Sequence, residues 1–289
     1  MRVFIAILVV GALSGCALTP GKFSTDPLPE IDEYTVPKLE TLTQVKGDIQ
    51  SPYDYVCRFN VNRRYGFFMW GANKISSGGL LNNGIIISAG HNFYSPWYTH
   101  ANSVYVECGV GTKPHQTPLY SETNVFKKDQ KVISSLYGWN TFGEDIAFIK
   151  VCNENSSVPE KSPFILATKK DMADIKADFN DYIKNGNAEK AIVLYVAGYP
   201  GDKPYTGSKL VHLKTVIEEI SGNVASYTYK NTYRGMSGSP VWIEKDEKKL
   251  IVGTHVKNGG AYLLSDYMLD EYEKWRAKLG SDAKTPCIK

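Results

Sequence analysis

From residue 53 onward the chain is written in short apolar runs broken by Gly, Asn and Pro. Runs of this length, rich in β-branched and aromatic residues, predict strands rather than helices. In the first half they fall at Tyr55–Val61, Gly66–Trp70, Gly78–Leu81, Ile85–Ser88, Val104–Cys108, Lys131–Ser134 and Ile146–Val151. In the second half they fall at Ala191–Gly198, Lys209–Ile220, Val224–Tyr229, Pro240–Ile243, Leu250–His255 and Gly260–Leu264. Asn82-Asn83-Gly84 between two runs predicts a hairpin, because Asn and Gly accept positive φ. A helical period stands out in two places. Met172, Ile175, Phe179, Tyr182 and Ile183 share one face of residues 169–184, with Gly186 beyond the end. Met268, Tyr272, Trp275 and Leu279 form a second stripe, which Ser265-Asp266 opens and Gly280 closes. Frequent short strands with turn signals suit a barrel or a sandwich, here with one inserted helix and one closing helix.

The first 52 residues follow another pattern. Arg2 precedes an apolar run from Val3 to Leu13, too short to span a bilayer but suited to a signal-peptide core. The run ends in Leu13-Ser14-Gly15-Cys16, which resembles the bacterial lipobox, where the Cys is lipidated and becomes the first mature residue. Several acyl chains on one Cys would anchor stably. Ala17 stands where that family uses Asp for inner-membrane retention, so the resemblance implies an outer-membrane anchor facing the periplasm or the exterior. Pro20, Pro27, Pro29, Pro37 and Pro52 mark residues 16–52 as a semi-extended linker, with a packed arm left open for 36–52. The expected organisation is a signal peptide at 1–15, a lipid-anchored linker at 16–52 and a folded domain at 53–289. Its lobes are expected at about 53–160 and 190–264, with a closing helix at 265–280.

Composition changes the picture mainly by exclusion. The 289 residues are 43% hydrophobic and 22% charged, with a formal net charge of +3. A disordered chain would be less apolar and more charged. Interspersed charges give no broad basic face, so no nucleic-acid partner is expected. Without Cys16, four cysteines remain, Cys57, Cys108, Cys152 and Cys287, an even number suited to an oxidising compartment. Three pairings are possible. Positions near strand ends favour Cys108 with Cys152, leaving Cys57 with Cys287, and free thiols are the alternative. No Cys/His cluster suggests a metal, and neither metal nor organic cofactor is expected.

Three segments carry chemistry. Gly84–His91 is an apolar strand that ends in small residues and a His, whose ring close backbone packing can fix. Glu144-Asp145-Ile146-Ala147-Phe148-Ile149 places an acid at the mouth of a buried strand. Gly235-Met236-Ser237-Gly238-Ser239-Pro240-Val241 flanks a Ser with glycines before another strand. Small neighbours admit a substrate carbonyl to Ser237 Oγ, and the N–H groups of Gly235 and Ser237 can converge on an oxyanion. The order His91, Asp145, Ser237 is that of chymotrypsin-like proteases, not of subtilisins or α/β-hydrolases.

These segments resemble the trypsin-like serine proteases, nearest the bacterial glutamyl endopeptidases. Ser88-Ala89-Gly90-His91, Asp145-Ile146-Ala147 and Gly235–Val241 are similar to that family's three catalytic motifs. Val196-Ala197-Gly198-Tyr199-Pro200-Gly201-Asp202-Lys203-Pro204 and Gly253-Thr254-His255 resemble two further segments of it. The resemblance implies a mostly β fold of two six-stranded antiparallel barrels, with His91 and Asp145 from the first and Ser237 from the second. It implies a Ser-His-Asp endopeptidase acting through an acyl-enzyme on protein or peptide substrates. It also implies an S1 pocket in which His255 and Thr232 receive an acidic P1 side chain, so that Glu, and more slowly Asp, is preferred. Met236 stands where trypsin-type zymogens carry an activating Asp. The rival expectations are a non-catalytic surface binding protein on a protease-like fold, and an esterase.

Overall fold

The computed structural model describes residues 42–45, 51–65, 70–93, 103–110, 120–124, 131–133, 144–150, 161–202, 207–228, 232–257 and 259–281. Cys16, Cys152, Cys287 and most of the strand expected at Gly66–Trp70 lie outside them. A two-residue strand, β1 (Thr43–Gln44), comes first. The first lobe then comprises β2 (Val56–Tyr65), β3 (Trp70–Leu80), β4 (Ile85–Ser88), β5 (Ser103–Cys108), β6 (Tyr120–Asn124), β7 (Lys131–Ile133) and β8 (Ala147–Lys150). These run antiparallel in the spatial order β6-β5-β2-β3-β4-β8-β7. Alternation sets the core: Val104, Val106 and Cys108 face inward on β5, while Tyr105 is exposed. Phe59, Val61, Leu80, Ile86 and Ile149 join them in the interior.

The second lobe comprises β9 (Phe164–Leu166), β10 (Val193–Gly198), β11 (Val211–Ser221), β12 (Val224–Tyr227), β13 (Pro240–Lys245), β14 (Lys248–Lys257) and β15 (Gly260–Leu263). Strands β11-β10-β13-β14-β15-β12 pair in turn, and a β11–β12 pairing closes the ring into a six-stranded antiparallel barrel. Two strands are added to this ring. β9 lies parallel to β14, and β1, from the stretch where a packed arm was left open, pairs with β11. Thus both lobes are β-built, the second closed and the first an open path among the described residues.

The helices follow the predicted faces. α1 (Lys169–Asn185) starts at a capping box in which Thr168 and Asp171 satisfy each other's backbone N–H, and it stops at Gly186 with φ of 65°. Met172, Ile175, Phe179 and Tyr182 are buried, whereas Ile183 is exposed at the edge of the stripe. Ion pairs from Lys245 to Asp171 and Asp174 tie the helix to β13. The inserted helix therefore packs on the second lobe. α2 (Asp266–Ser281) runs one residue past Gly280, and Ser265 Oγ accepts from the Met268 N–H at its start. It returns to the first lobe, where Tyr272 meets Phe148 with ring centroids 4.5 Å apart.

The disulfide corrects the sequence expectation. Cys57 is bonded to Cys108, not Cys108 to Cys152. The reason is register: β2 and β5 pair antiparallel with Cys57 directly opposite Cys108, both fully buried. A pairing set by strand register leaves no trace in the spacing of cysteines along the chain.

The lobes meet around Ser77 of β3. Its Oγ donates to Gly235 O at 2.8 Å and accepts from the Tyr199 N–H at 2.9 Å, and its own N–H donates to Ser237 O at 3.0 Å. Gly79 sits so close to Pro240 that a Cβ would approach to 2.8 Å. There is no room for a side chain on Gly79, and the Pro240 ring packs directly against its backbone.

Candidate active site

His91 lies on a single helical turn, Gly90–Asn92, directly after β4, and Asp145 lies just before β8. β4 and β8 are antiparallel neighbours with Ser88 opposite Ala147. Exit of one strand and entry of the other therefore fall side by side, which brings the two residues together. Asp145 holds His91 at two points. Its Oδ1 accepts from the His91 backbone N–H at 2.7 Å, and its Oδ2 lies 2.5 Å from Nδ1. The Asp145 side chain is 9% exposed, so this contact is largely shielded from water. Fixing Nδ1 leaves Nε2 as the ring nitrogen available for proton transfer.

Ser237 comes to the same seam from the second lobe. Its carbonyl accepts from Asn92 Nδ2 at 2.9 Å as well as from the Ser77 N–H. Asn92 follows His91 in the chain, so one residue step links the imidazole to the serine loop. The Ser237 hydroxyl donates to Val256 O at 3.0 Å. Among the described residues no hydrogen bond joins it to His91.

The glycines around Ser237 are required by space. Gly235 has φ of +93°, and a Cβ would lie 2.4 Å from Gly201 N and 2.6 Å from Tyr199 O. Gly238 has φ of +88°, and a Cβ would lie 2.1 Å from Ser88 Oγ. The Tyr199–Asp202 segment grips the loop from the other side: Gly201 N–H donates to Arg234 O at 2.6 Å, and Asp202 Oδ2 accepts the Arg234 N–H at 3.1 Å. The N–H groups of Met236, Gly238 and Ser239 donate to Tyr233, His255 and Met236 carbonyls. Among the described residues those of Gly235 and Ser237 donate to no backbone carbonyl. Met236 is fully buried in the second-lobe core.

His255 sits on β14, 1% exposed, with its backbone bonded to Gly238 and Ser239. Its Nδ1 makes a short hydrogen bond with the hydroxyl of Tyr227, which is fully buried. Burial pushes the imidazole down to about 3, helped by the nearby His91 and opposed by the Gly260 carbonyl. Burial likewise holds the Tyr227 phenol well above its ordinary range. Thr232 is half-buried at the start of the serine loop, and no hydrogen bond links it to His255 among the described residues. Sequence reasoning missed Asn92, Tyr227 and Val256. A polar residue beside His91 was the only signal for the first, and the other two had none. Among the described residues no cluster of His, Cys, Asp and Glu is arranged to hold a metal ion.

No protein-family model matches the chain, and no curated protein sequence matches it. Solved structures do. A Glu endopeptidase in complex with MPD is 20% identical with a TM-score of 0.54, over 82% of this chain and 96% of that one. The protease Anisep from Arthrobacter nicotinovorans is 14% identical with a TM-score of 0.56, over 82% of this chain and all of that one. The HL collagenase is 14% identical with a TM-score of 0.56, over 83% of this chain and 98% of that one. The chain has the chymotrypsin fold. At these identities the likeness is one of fold. Within it, residues 91, 145 and 237 lie at the seam between the lobes.

Proposed function

We propose that the protein is a serine endopeptidase in which His91, Asp145 and Ser237 form the catalytic triad. The observation that supports this most is the two-point hold of Asp145 on His91, one residue from Asn92 and its bond to the Ser237 carbonyl. In the proposed reaction a peptide enters the seam and the Ser237 hydroxyl turns from Val256 O to His91 Nε2. His91 takes its proton as Oγ attacks the scissile carbonyl carbon. The N–H groups of Gly235 and Ser237 receive the oxyanion. Losing one such donor typically costs about 2.7–4 kcal/mol. His91 passes the proton to the leaving amine, the C–N bond breaks, and water then hydrolyses the ester on Ser237. Asp145 keeps the proton-bearing Nδ1 oriented and stabilises the imidazolium.

The same reading gives the acidic preference. A carboxylate taken out of water is costly without donors, and His255 with Thr232 would supply them beside the nucleophile. One protein of this fold is a Glu endopeptidase, which supports the choice. A peptide-library profile of the wild type and of Ser237→Ala is the test. We expect cleavage after Glu, slower cleavage after Asp, and a loss on the order of 10⁶ in turnover for the variant. Unchanged turnover in Ser237→Ala refutes the nucleophile, and a profile indifferent to acidic P1 refutes the pocket.

A signal peptide at 1–15, lipidation at Cys16 and a linker that ends in the β1 arm packed on the second lobe complete the proposal, with the folded domain held on the outer membrane. Palmitate labelling of the wild type is expected, and labelling that survives Cys16→Ser contradicts it. One observation favours the rival binding-protein reading: the Ser237 hydroxyl is bonded to Val256 rather than to His91. Reactivity of the serine decides between the two.

A further inference from the structure

Tyr227 ends β12 and His255 lies on β14, with β15 paired between those strands. The Tyr227 side chain therefore reaches beneath a neighbouring strand to touch the imidazole, with ring centroids 5.9 Å apart. Its hydroxyl meets His255 Nδ1 and also lies 3.3 Å from Gly260 O. Both side chains are enclosed and both stay neutral, so this is a bond between uncharged partners, not an ion pair. An imidazole without such a hold can turn about its Cβ–Cγ bond and exchange nitrogens for carbons at a given point. One held through Nδ1 keeps Nε2 in a fixed place. Donors fixed in advance select a ligand more sharply than donors that must be ordered on binding.

We propose that Tyr227 is a positioning residue for substrate selection: its hydroxyl donates to His255 Nδ1, which keeps the one proton of the neutral ring on Nε2 and presents that N–H to the carboxylate of an acidic P1 side chain. This rests on the proposed place of His255 in the S1 pocket. Tyr227 itself does not touch the substrate, and its effect passes through His255.

The test compares kcat/KM for paired peptides that differ only in Glu or Gln at P1. The ratio cancels any loss the two share. In Tyr227→Phe we expect the Glu-over-Gln ratio to fall about three- to tenfold, carried by KM for the Glu peptide, as for loss of one orienting hydrogen bond. In a His255→Gln background the same substitution should change the ratio no further, since coupled residues are not additive. A wild type without Glu preference overturns the pocket role of His255 on which the proposal stands. A wild type with that preference, unchanged in Tyr227→Phe, overturns the role of Tyr227 and leaves the pocket intact. A full further loss in the His255→Gln background overturns action through His255. Should Tyr227→Phe fail to fold, ¹⁵N-histidine NMR of the wild type still decides. On adding a product peptide ending in Glu, the Nε2 signal of His255 should shift more than Nδ1, and the reverse contradicts the proposal.

Discussion

At the scale of single residues, His255 trades stability at low pH for a neutral imidazole inside the protein. Its pKa is held at about 3, against 6.5 for an ordinary histidine, chiefly because burial removes the water that would solvate the cation. Between those values the unfolded chain binds a proton that the native state refuses. The unfolded state therefore binds more protons, and stability rises with pH across this window. Above 6.5 both states are neutral at this residue and its contribution is flat. Acidification through the window should weaken the fold by about 1.4 kcal/mol per pH unit from this group alone. Urea midpoints against pH, for the wild type and His255→Gln, check this. The variant should lose that component of the slope, and identical slopes would contradict it. Of the three proposed catalytic residues, Ser237 sits in a motif whose glycines the packing demands, and His91 and Asp145 stand at the end and start of two apolar runs that pair as neighbouring strands. Tyr227 and Val256 were not legible, because their contacts arise from three strands in register, which a linear pattern does not carry.

Elements were legible where one face is buried and the period is clean. The Ile85–Ser88 strand has the expected limits, and α1 lies where its apolar stripe predicts, because Thr168 and Gly186 are strong boundary signals. The run expected at Gly78–Leu81 is the end of a longer strand, β3, which begins at Trp70 and whose middle residues Asn73, Lys74 and Ser77 are polar, while 66–69 lie outside the described residues. Ser76 and Ser77 are fully buried, since a small hydroxyl fits where the lobes meet. β9 was not anticipated, because three residues are too few to show a period. The cysteine pair is the sharpest element-scale test. The bond between Cys57 and Cys108 closes a loop of 51 residues in sequence separation. Replacing both with Ala should lower stability by about 2–5 kcal/mol, read from denaturant midpoints. Non-reducing peptide mapping should recover Cys57 linked to Cys108. A fragment joining Cys108 to Cys152 would contradict the register.

At the scale of the whole molecule, both ends of the described chain cross between lobes. β1 precedes the first lobe in sequence yet pairs with β11 of the second. α2 follows the second lobe yet packs Tyr272 against Phe148 of the first. Near the site the lobes are joined by backbone bonds through Ser77 and by Asn92, and farther out by Arg58, which donates to Gly207 O at 2.8 Å. This clasp holds a histidine–aspartate pair from one lobe against a serine loop from the other. Strand frequency pointed to a barrel or a sandwich, and the resemblance of the three motifs to trypsin-like proteases implied the two-lobed fold. The crossings were not, because a two-residue strand and a helix face carry no address for the lobe they join.

The measurement that tests the central claim most directly is reaction of the intact protein with a fluorophosphonate, followed by peptide mapping. One adduct on Ser237 is expected, formed much more slowly in His91→Ala, because the serine is nucleophilic only with the imidazole as base. Absence of an adduct on Ser237 in folded protein, or equal rates in His91→Ala, would contradict the account.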